Sequence, residues 1–497
     1  MDSSRHQVRF EAPKLSGLCF PAPKLLPTFC FCCPLSPTVL SLSLLMPMFL
    51  TRPRLLHALL FSGTVASTIA LSSVTPAVRA EAQTNLQDSP KAVLDQAWQI
   101  VYREYVDGSF NRVNWQEVRQ ELLGRNYSSR EEAYRALRQA LQRLDDPYTR
   151  FMDPRQYEAL TSQTSGELSG VGLRLKLEEG TGAITVVEPI PNSPAARAGI
   201  QVGDRILSID GTSTQGMSIE DASNRIRGQV GTRIVLRLQR QGRGPFDLTL
   251  TRARIELPNV FSSVKQEQGT RVGYIRLTEF SAHAAEQMQR AIQEHLRQNV
   301  DGFVLDLRGN PGGLLQASIE ISRMWINNGA IVRTAERSGG RETISANNRA
   351  LTNLPLVVLV DGNSASSSEI LTGALMDNNR AIVVGSRTFG KALVQSVHPL
   401  MDGSGLAVTI AHYYTPNGTD ISDRGITPNI VVNLSEEQRR QLYTSNAMGT
   451  RRDAQYLRAL GALRTAIAAY RQSTPSATRP VTPIPEARVP DSSSIRN

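Results

Sequence analysis

The chain has 497 residues, of which 40% are hydrophobic and 20% are charged, enough for about three globular domains. Half of the formal net charge of +10 lies in residues 1–80, and no basic stripe with interleaved aromatic residues follows, which argues against a nucleic-acid-binding protein. All four cysteines lie in residues 1–33, so a chain that has lost this region has no thiol for a disulfide framework or a cysteine zinc site. Such a chain suits export into an oxidising compartment.

Residues 1–80 have the pattern of an export leader. Residues 1–47 show neither a helical nor a strand period, and we interpret them as an over-extended start, with initiation at Met46 or Met48. A basic stretch, an apolar run and the small-residue sequence Val78-Arg79-Ala80 then follow in the order of a signal peptide. An uncleaved membrane anchor is the alternative. No later stretch is long and apolar enough to span a bilayer, so we expect no membrane span after signal removal, while peripheral membrane association stays open.

Residues 81–164 are predicted to form an N-terminal helical domain, since apolar residues recur there at helical spacing. Asn114 is the predicted N-cap of its second helix. Ser129, followed by Glu132, has the pattern of a capping box at the start of the third. We interpret the carboxylates of this segment as caps and solvated faces rather than as catalytic pairs.

Residues 165–254 change to short β-runs with two short helices, and their order resembles that of a PDZ domain. The matching elements are a glycine loop, Ser193-Pro194-Ala195 with Ala198-Gly199, Gly203-Asp204-Arg205-Ile206 and Asp210-Gly211. In a PDZ domain, backbone N–H groups of the glycine loop capture a peptide's terminal carboxylate, and an exposed strand edge pairs with the peptide. The predicted carboxylate-binding residues are Ser169, Gly170, Val171, Gly172 and Leu173. A plain β-sandwich is the alternative.

Residues 255–435 alternate strands with helices, which is typical of an α/β unit. The predicted strands cover 272–277, 302–307, 356–360, 381–385, 393–398 and 406–412, and the predicted helices cover 282–298, 314–326 and 366–377. A C-terminal helical segment is predicted over 436–472, and the Pro- and Ser-rich residues 473–497 are predicted to be a disordered tail. The chain as a whole is therefore predicted to be an α+β multidomain protein.

Residues 361–395 carry the pattern with the most chemistry: a serine cluster opens a predicted helix, and Lys391 follows among apolar residues. The hydrolase elbow G-x-S-x-G, the phosphate loop and the nicotinamide fingerprint all fail to match the glycines present. A serine–lysine dyad fits better. Lysine can act as a general base only when neutral, and burial among apolar groups lowers its pKa.

Ser366 is the candidate nucleophile, because the N-terminus of the following helix would stabilise its alkoxide. The N–H of Ser367 is a candidate oxyanion donor, and the loop 310–313 is the source of a second. The hydroxyls of Ser364, Ser367 and Ser368 are interpreted as structural.

Three stretches together are similar to the carboxyl-terminal processing peptidases, the tail-specific Ser/Lys proteases: SASSSEILTGALMDNNRAIVVGSRTFGKALVQ, LDLRGNPGGLL and LDDPYTRFMDPRQYEAL. The resemblance covers about residues 90–435 and implies a crotonase-like α/β protease core. It implies that Ser366 is the nucleophile, Lys391 the base and Gln395 the residue that orients the lysine. Pro311, where many relatives have glycine, lacks an N–H, which leaves Gly312 or Gly313 as the second donor. Glu369 and Asp377 match acidic family positions whose roles stay open.

The resemblance implies an exported endopeptidase, without metal or other cofactor, that binds unstructured protein C-termini in its PDZ domain and cleaves them. Arg227, at the end of the second PDZ helix, is a candidate for coupling the two domains, the alternative being a solvated charge. The implied location is a periplasm, a cell envelope or a thylakoid lumen. The segment VYREYVDGSFNRVNWQEVRQELL looks most like the photosynthetic branch, in which one member matures a photosystem II reaction-centre precursor. An inactive PDZ adaptor and a crotonase-like acyl-transfer enzyme are the alternatives.

Overall fold

The structure is a computed structural model that describes residues 89–445 and 447–473. The predicted leader, over 1–80, and the predicted tail after residue 473 lie outside the described residues. Within the described ranges, no helix is long and apolar enough to cross a membrane.

Three amphipathic helices begin the described chain: α1 (Pro90–Glu104), α2 (Trp115–Gly124) and α3 (Arg130–Gln142). Asn114 caps α2 as predicted, since its side chain accepts from the Glu117 N–H at 3.3 Å. The capping box at α3 is only half correct. The Ser129 hydroxyl accepts from the Glu132 N–H, but the Glu132 carboxylate accepts from the N–H and hydroxyl of Ser128 instead of from Ser129.

The next segment leads from α3 into the PDZ region through β1 (Arg150–Met152), α4 (Pro154–Ser165) and β2 (Glu167–Gly170). Strand β2 pairs antiparallel with β9 (Ala253–Glu256), so the two chain crossings between the PDZ region and the core are tied together. Backbone hydrogen bonds between these two strands therefore hold the entry to the PDZ region and the exit from it side by side.

The PDZ region is an antiparallel sheet in the order β3-β4-β5-β7-β8, with β6 beside β5. Its elements are β3 (Leu173–Leu177), β4 (Ile184–Pro189), α5 (Pro194–Arg197), β5 (Arg205–Ile209), β6 (Thr212–Ser213), α6 (Ile219–Ile226), β7 (Arg233–Gln239) and β8 (Phe246–Thr251). Burial alternates along β7, so one face of the sheet forms an apolar core of its own. Strand β3 lies at the edge of the sheet, and within the described ranges it pairs with β4 alone, so its other edge is available there for pairing with a peptide.

The core contains a six-stranded sheet in the order β10-β11-β12-β15-β16-β19, parallel except for the β10–β11 pair. The strands are β10 (Val260–Glu267), β11 (Thr270–Leu277), β12 (Gly302–Asp306), β15 (Leu356–Val360), β16 (Ile382–Gly385) and β19 (Ile430–Val431). The central strands are buried on both faces, which explains their continuous apolar runs.

Helices cover both faces of this sheet. One face packs against α7 (Ala284–Arg297), α8 (Leu315–Arg323) and α9 (Ser367–Asp377), and the other against α11 (Ala454–Ser473), which follows α10 (Glu436–Thr444). Successive residues of β12 face opposite helix layers. Phe303 and Leu305 pack in the apolar cluster with α7–α9, and Val304 packs in the cluster with α11. The α/β layering predicted from the sequence is confirmed.

A second sheet joins the helical segment to the core. It contains β1, β13 (Ala330–Glu336), β14 (Arg341–Ser345), β17 (Leu393–Pro399) and β18 (Gly405–Tyr414). Strand β18 pairs with β17 along one side and with β1 and β13 along the other. Helices α1–α3 pack on Leu406 and Val408 of β18. The loop between α3 and β1, residues 143–149, therefore lies next to this sheet.

Arg308 anchors the start of the glycine loop in the core. Its guanidinium group is fully buried and bonds Asp306 at 2.6 Å and Asp453 at 2.7 Å, while Gln455 accepts a further bond at 3.0 Å. Tyr274 donates to Asp306 from the neighbouring strand. The loop is thereby fixed to the segment that begins α11.

Replacing Arg308 with alanine is expected to lower the free energy of unfolding by about 3–5 kcal/mol, because two buried carboxylates lose their counter-charge. Equilibrium urea unfolding measures the change. Arg297→Ala is the matched control: its ion pair with Glu294 is exposed and is expected to contribute less than about 1 kcal/mol. Equal losses in the two variants would contradict an anchoring role for Arg308.

Candidate active site

Ser366 stands directly before the first residue of α9 in a strained backbone conformation. Its φ is 55° and its ψ is −115°, backbone angles that residues other than glycine rarely adopt. Such strain costs about 1–3 kcal/mol and is often found at functional sites. The half-buried Ser366 side chain therefore emerges from a sharp turn between β15 and the N-terminus of α9.

The other three serines of the cluster hold this turn onto the glycine loop. The hydroxyls of Ser364, Ser367 and Ser368 each donate, at 2.9 Å, to the backbone carbonyls of Leu307, Gly313 and Asn310 respectively. All three serines are buried. Their geometry fits a structural role and distinguishes them from Ser366.

Glu369 links the serine turn to the segment that carries Lys391. Its buried carboxylate accepts from the N–H of Ser366 at 2.9 Å and from the N–H of Lys391 at 2.9 Å, and both bonds end on Oε2. The other oxygen accepts from Thr388 at 2.6 Å and from Gly390 at 2.7 Å. Burial raises the pKa of Glu369, and these four bonds oppose that rise. The two backbone segments are thus held against one carboxylate.

Tyr413 makes a second link between the same two segments. Its fully buried hydroxyl lies between the carbonyl oxygens of Ser366, at 3.2 Å, and Lys391, and these two acceptors share its single proton. Burial, foremost, raises the pKa of Tyr413 well above its usual value, so the phenol stays a donor. The sequence gives no signal for this residue, because nothing in its apolar strand marks Tyr413 as a hydrogen-bond donor to a distant turn.

Lys391 lies in the setting that a lysine base requires. Burial is the main cause that lowers its pKa, and the nearby Arg150 lowers it further, while Asp146 and Glu369 raise it. The ammonium nitrogen lies 4.6 Å from the centre of the Tyr148 ring. A lowered pKa increases the neutral fraction near pH 7, which supports the prediction that Lys391 is the base.

The predicted base and its predicted orienting residue do not bond directly in the part of the chain that the structure describes. Lys391 Nζ makes no hydrogen bond there to Ser366 or to Gln395, whereas the amide nitrogen of Gln395 donates to Thr409 Oγ1 at 3.5 Å. Catalytic hydrogen bonds are often long before substrate binds. The backbone segments of Ser366 and Lys391 nevertheless meet at Glu369, and Gln395 lies on β17, which begins two residues after Lys391.

Two of the three predicted oxyanion donors have unbonded N–H groups within the described ranges, namely Gly313 and Ser367. The structure differs from the prediction at Gly312, whose N–H donates to Asn310 Oδ1 at 2.9 Å and is not available. Gly312 has another function: at its φ of +104°, a Cβ would lie 2.9 Å from Ser366 Cβ. Only glycine allows the loop to approach the serine so closely.

The predicted carboxylate-binding loop lies at the open edge of the PDZ sheet. The N–H groups of Val171 and Gly172 have no hydrogen-bond partner among residues 89–445 and 447–473. Ser169 donates its hydroxyl to the Gly228 carbonyl, Gly170 ends β2, and Leu173 begins β3.

Gly172, at a φ of +82°, must be glycine, because a Cβ there would lie 2.3 Å from Ser193 Cβ. The apolar floor beside this loop includes Leu173, Leu175 and Ile226. The loop therefore has N–H groups without a partner among the described residues and lies beside the apolar core of the PDZ region, an arrangement compatible with binding a terminal carboxylate.

Arg227 is not brought to the catalytic residues. Its side chain is exposed and bonds Asn224 of its own helix at 3.4 Å. It does lie beside the carboxylate loop, since a Cβ on Gly170 would be 3.9 Å from its Cα. This position fits the solvated-charge alternative better than a coupling role.

Asp146 and its neighbours were interpreted too simply from the sequence. Asp146 is neither a helix cap nor fully solvated: it accepts from Thr149 at 2.6 Å and from Thr409 at 2.7 Å, beside Lys391. The available signal was the DDPYT sequence, which the family resemblance includes. Asp377 accepts from Thr415 and from the Asn417 N–H, which supports a structural role.

No group of three or more His, Cys, Asp or Glu side chains in the described ranges is placed to hold a metal ion. The groups that the structure places beside Ser366 are the Glu369 carboxylate, the Tyr413 hydroxyl and the N–H of Ser367, and the predicted base Lys391 follows on the segment that Glu369 holds. This set can deprotonate a hydroxyl and stabilise an oxyanion, which are the two requirements of acyl transfer.

Comparisons with known proteins agree with this chemistry. A family profile described as peptidase family S41 matches residues 271–432, and a PDZ-domain profile matches residues 185–240. The carboxyl-terminal-processing protease of Picosynechococcus sp. is 46% identical over 358 residues, covering 72% of this chain and 86% of that protein. The enzyme of the same name from Synechocystis sp. is 44% identical over 383 residues, covering 77% and 88%. The chloroplastic C-terminal processing peptidase of Tetradesmus obliquus is 38% identical over 351 residues, covering 67% and 75%.

Proposed function

The chain belongs to the carboxyl-terminal-processing proteases of peptidase family S41, and from this membership we propose that it is an exported endopeptidase that cleaves unstructured protein C-termini with a Ser366–Lys391 dyad. A serine-type peptidase is what the family implies. One observation supports the dyad most directly: the strained Ser366 and the half-buried Lys391 donate their backbone N–H groups to the same oxygen of Glu369.

The proposed reaction proceeds by acyl transfer. Neutral Lys391 takes the proton of the Ser366 hydroxyl as Oγ attacks the scissile carbonyl. The N–H groups of Gly313 and Ser367 stabilise the resulting oxyanion. The lysine ammonium then gives its proton to the leaving amine as the C–N bond breaks. Lys391, neutral again, deprotonates the water that hydrolyses the acyl-enzyme.

The PDZ region supplies the selection of chain ends in this proposal. The N–H groups of Val171 and Gly172, which have no partner among the described residues, would bind a terminal carboxylate, and the edge of β3 away from β4 would pair with the preceding residues. The partners are therefore proteins whose C-termini are unstructured, because a folded end could not adopt the extended form that edge pairing requires.

Export and location rest on the sequence of residues 1–80 and on the relatives, which are cyanobacterial and chloroplastic. The proposed location is a periplasm, a cell envelope or a thylakoid lumen. The precursor of a photosystem II reaction-centre protein is the substrate that the photosynthetic resemblance suggests, among other unstructured tails.

The test uses purified protein and a folded domain that carries an unstructured C-terminal tail. We expect cleavage within the tail, located by mass spectrometry. The same substrate with a C-terminal amide should show a KM roughly 10- to 100-fold higher, because the hydrogen bonds to a charged carboxylate are lost.

Each alternative predicts a different result in this assay. Binding of the tail without cleavage would support an inactive PDZ adaptor. Turnover of an acyl thioester without turnover of the tail would support a crotonase-like acyl-transfer enzyme. Equal KM values for acid and amide tails would contradict carboxylate recognition while leaving the peptidase activity intact.

A further inference from the structure

A β-bulge sets the side chain that faces Gln395. Strand β17 pairs with β18 so that Val394 lies opposite Ala411, yet the next residue, Gln395, lies opposite Thr409. Residue Ile410 is left as the extra residue of β18. Regular pairing would place Gln395 opposite Ile410, an apolar side chain that cannot bond an amide. Bulges often occur next to active sites, where they re-aim a side chain.

Thr409 connects Gln395 to a carboxylate from the helical segment. The fully buried Thr409 hydroxyl donates to Asp146 Oδ2 at 2.7 Å and accepts from the Gln395 amide nitrogen at 3.5 Å. Thr149 donates its own hydroxyl to the same Asp146 oxygen at 2.6 Å and accepts from the Thr409 N–H at 3.0 Å. Asp146 Oδ1 accepts from the Tyr148 N–H at 2.9 Å.

The direction of each bond in this chain follows from the groups involved. A carboxylate can only accept, so Thr409 must use its single proton toward Asp146. The Thr409 oxygen is then left as an acceptor, and Gln395 must present its NH2 group to it. The other end of the same amide, Oε1, therefore points away from Thr409, and it accepts no hydrogen bond from the residues that the structure describes.

Lys391 lies against the turn that holds Asp146. Its ammonium nitrogen is 4.6 Å from the centre of the Tyr148 ring, and Tyr148 is the residue whose N–H bonds Asp146. An N–H of neutral Lys391 donated to Gln395 Oε1 would leave the nitrogen lone pair to face Ser366. With the amide reversed, its NH2 group would compete for that lone pair.

We propose that Asp146 and Thr409 are positioning residues for the Lys391 base, because they fix the orientation of the Gln395 amide. This inference rests on the proposed role of Lys391. It makes the helical segment a part of the active site, since Asp146 lies between α3 and β1.

The test is a double-mutant cycle on Thr409 and Gln395. Thr409→Val keeps the shape of the side chain and removes the hydroxyl, and it should lower kcat about 10- to 100-fold with KM for the tail unchanged. In a Gln395→Ala background the same substitution should change kcat by no more than about twofold, because the amide that it orients is gone. Thr409→Ser restores the hydroxyl and should restore kcat.

Asp146→Asn and Asp145→Asn form the matched pair for the carboxylate. Asp145 is its exposed neighbour, and Asn tolerates the positive φ of Asp145. Only the change at Asp146 should lower kcat. The charged groups that face Lys391 are Asp146, Glu369 and Arg150. Because loss of an anion lowers the pKa of Lys391, Asp146→Asn should also move the acidic limb of the pH profile to lower pH.

Two outcomes would overturn the inference: an unchanged kcat in Thr409→Val, or an equal loss with and without Gln395. Thermal unfolding of each variant shows whether a loss of kcat reflects a loss of fold. Failure of the proposed function is seen separately. If Lys391→Ala retains the wild-type kcat, the dyad assignment is wrong. If Lys391→Ala is inactive but Thr409→Val keeps the wild-type kcat, only the positioning role of Thr409 is contradicted.

Discussion

Ser366→Ala is expected to lower kcat for tail cleavage by roughly 10⁴- to 10⁶-fold, the loss seen when a serine nucleophile is removed. The affinity for the tail should not change, because the carboxylate loop at Val171 and Gly172 belongs to the PDZ region. The substitution removes one oxygen and keeps Cβ, so the close approach of Gly312 is preserved. Single-turnover cleavage and tail binding by fluorescence anisotropy measure the two quantities.

Ser364→Ala is the control from the same cluster. The Ser364 hydroxyl donates to the Leu307 carbonyl and accepts from the Asp361 N–H, so its loss should lower the stability by about 1–3 kcal/mol. Its kcat should stay within about tenfold of wild type, a change of about 1.4 kcal/mol in the barrier. A wild-type kcat in Ser366→Ala would contradict Ser366 as the nucleophile. So would a large loss of kcat in Ser364→Ala together with only a loss of stability in Ser366→Ala.

The sequence predicted those elements whose residues make their contacts locally or on both faces of a sheet. Residues 356–360 were predicted correctly as a strand because all five are apolar and buried between helices. The caps at Asn114 and Ser129 were detected because a cap bonds an N–H only three residues away. Strands β13 and β14 were missed. Only Ile331, Val332 and Thr334 of β13 are buried and β14 is mostly exposed, so neither strand shows a long apolar run or regular alternation.

Residues of the candidate site that belong to a sequence motif could be predicted. Their hydrogen-bond partners from distant parts of the chain could not. Ser366 and Lys391 follow from the motif and its spacing. The bonds from Glu369 to Gly390 and Lys391 do not, because they join an α-helix to a loop 21 and 22 residues away. The bond between Thr409 and Asp146 joins residues 263 apart, a separation at which local sequence patterns carry no information.

The Gly312 result shows the same limit on a smaller scale. The glycine loop was predicted to supply an oxyanion donor, and both glycines were equal candidates. The choice depends on the Asn310 side chain, which is fixed by a bond from its amide nitrogen to the Leu277 carbonyl and accepts the Gly312 N–H. Only a tertiary contact of Asn310 therefore separates a structural N–H from an available one.

Lys391→Ala is expected to lower kcat by about 10²- to 10⁴-fold, the contribution of a positioned general base. Lys391→Arg should be as inactive, because a guanidinium group stays protonated and cannot accept the Ser366 proton. In the wild type, kcat/KM should rise with pH as Lys391 loses its proton, and burial moves this rise to lower pH than for an ordinary lysine. Steady-state kinetics of the wild type and the two variants across the pH range measure both effects.

Arg150→Gln tests the electrostatics around the same lysine. Arg150 lowers the pKa of Lys391, so its removal should raise that pKa and move the acidic limb of the pH profile to higher pH. Lys265→Ala is the control for burial. Lys265 is also half-buried with a lowered pKa, but it bonds the Gly449 carbonyl far from Ser366, so its loss should affect stability and not kcat. If Lys391→Arg cleaves tails at the wild-type rate, Lys391 is not the base, because an arginine there could supply charge but could not take a proton.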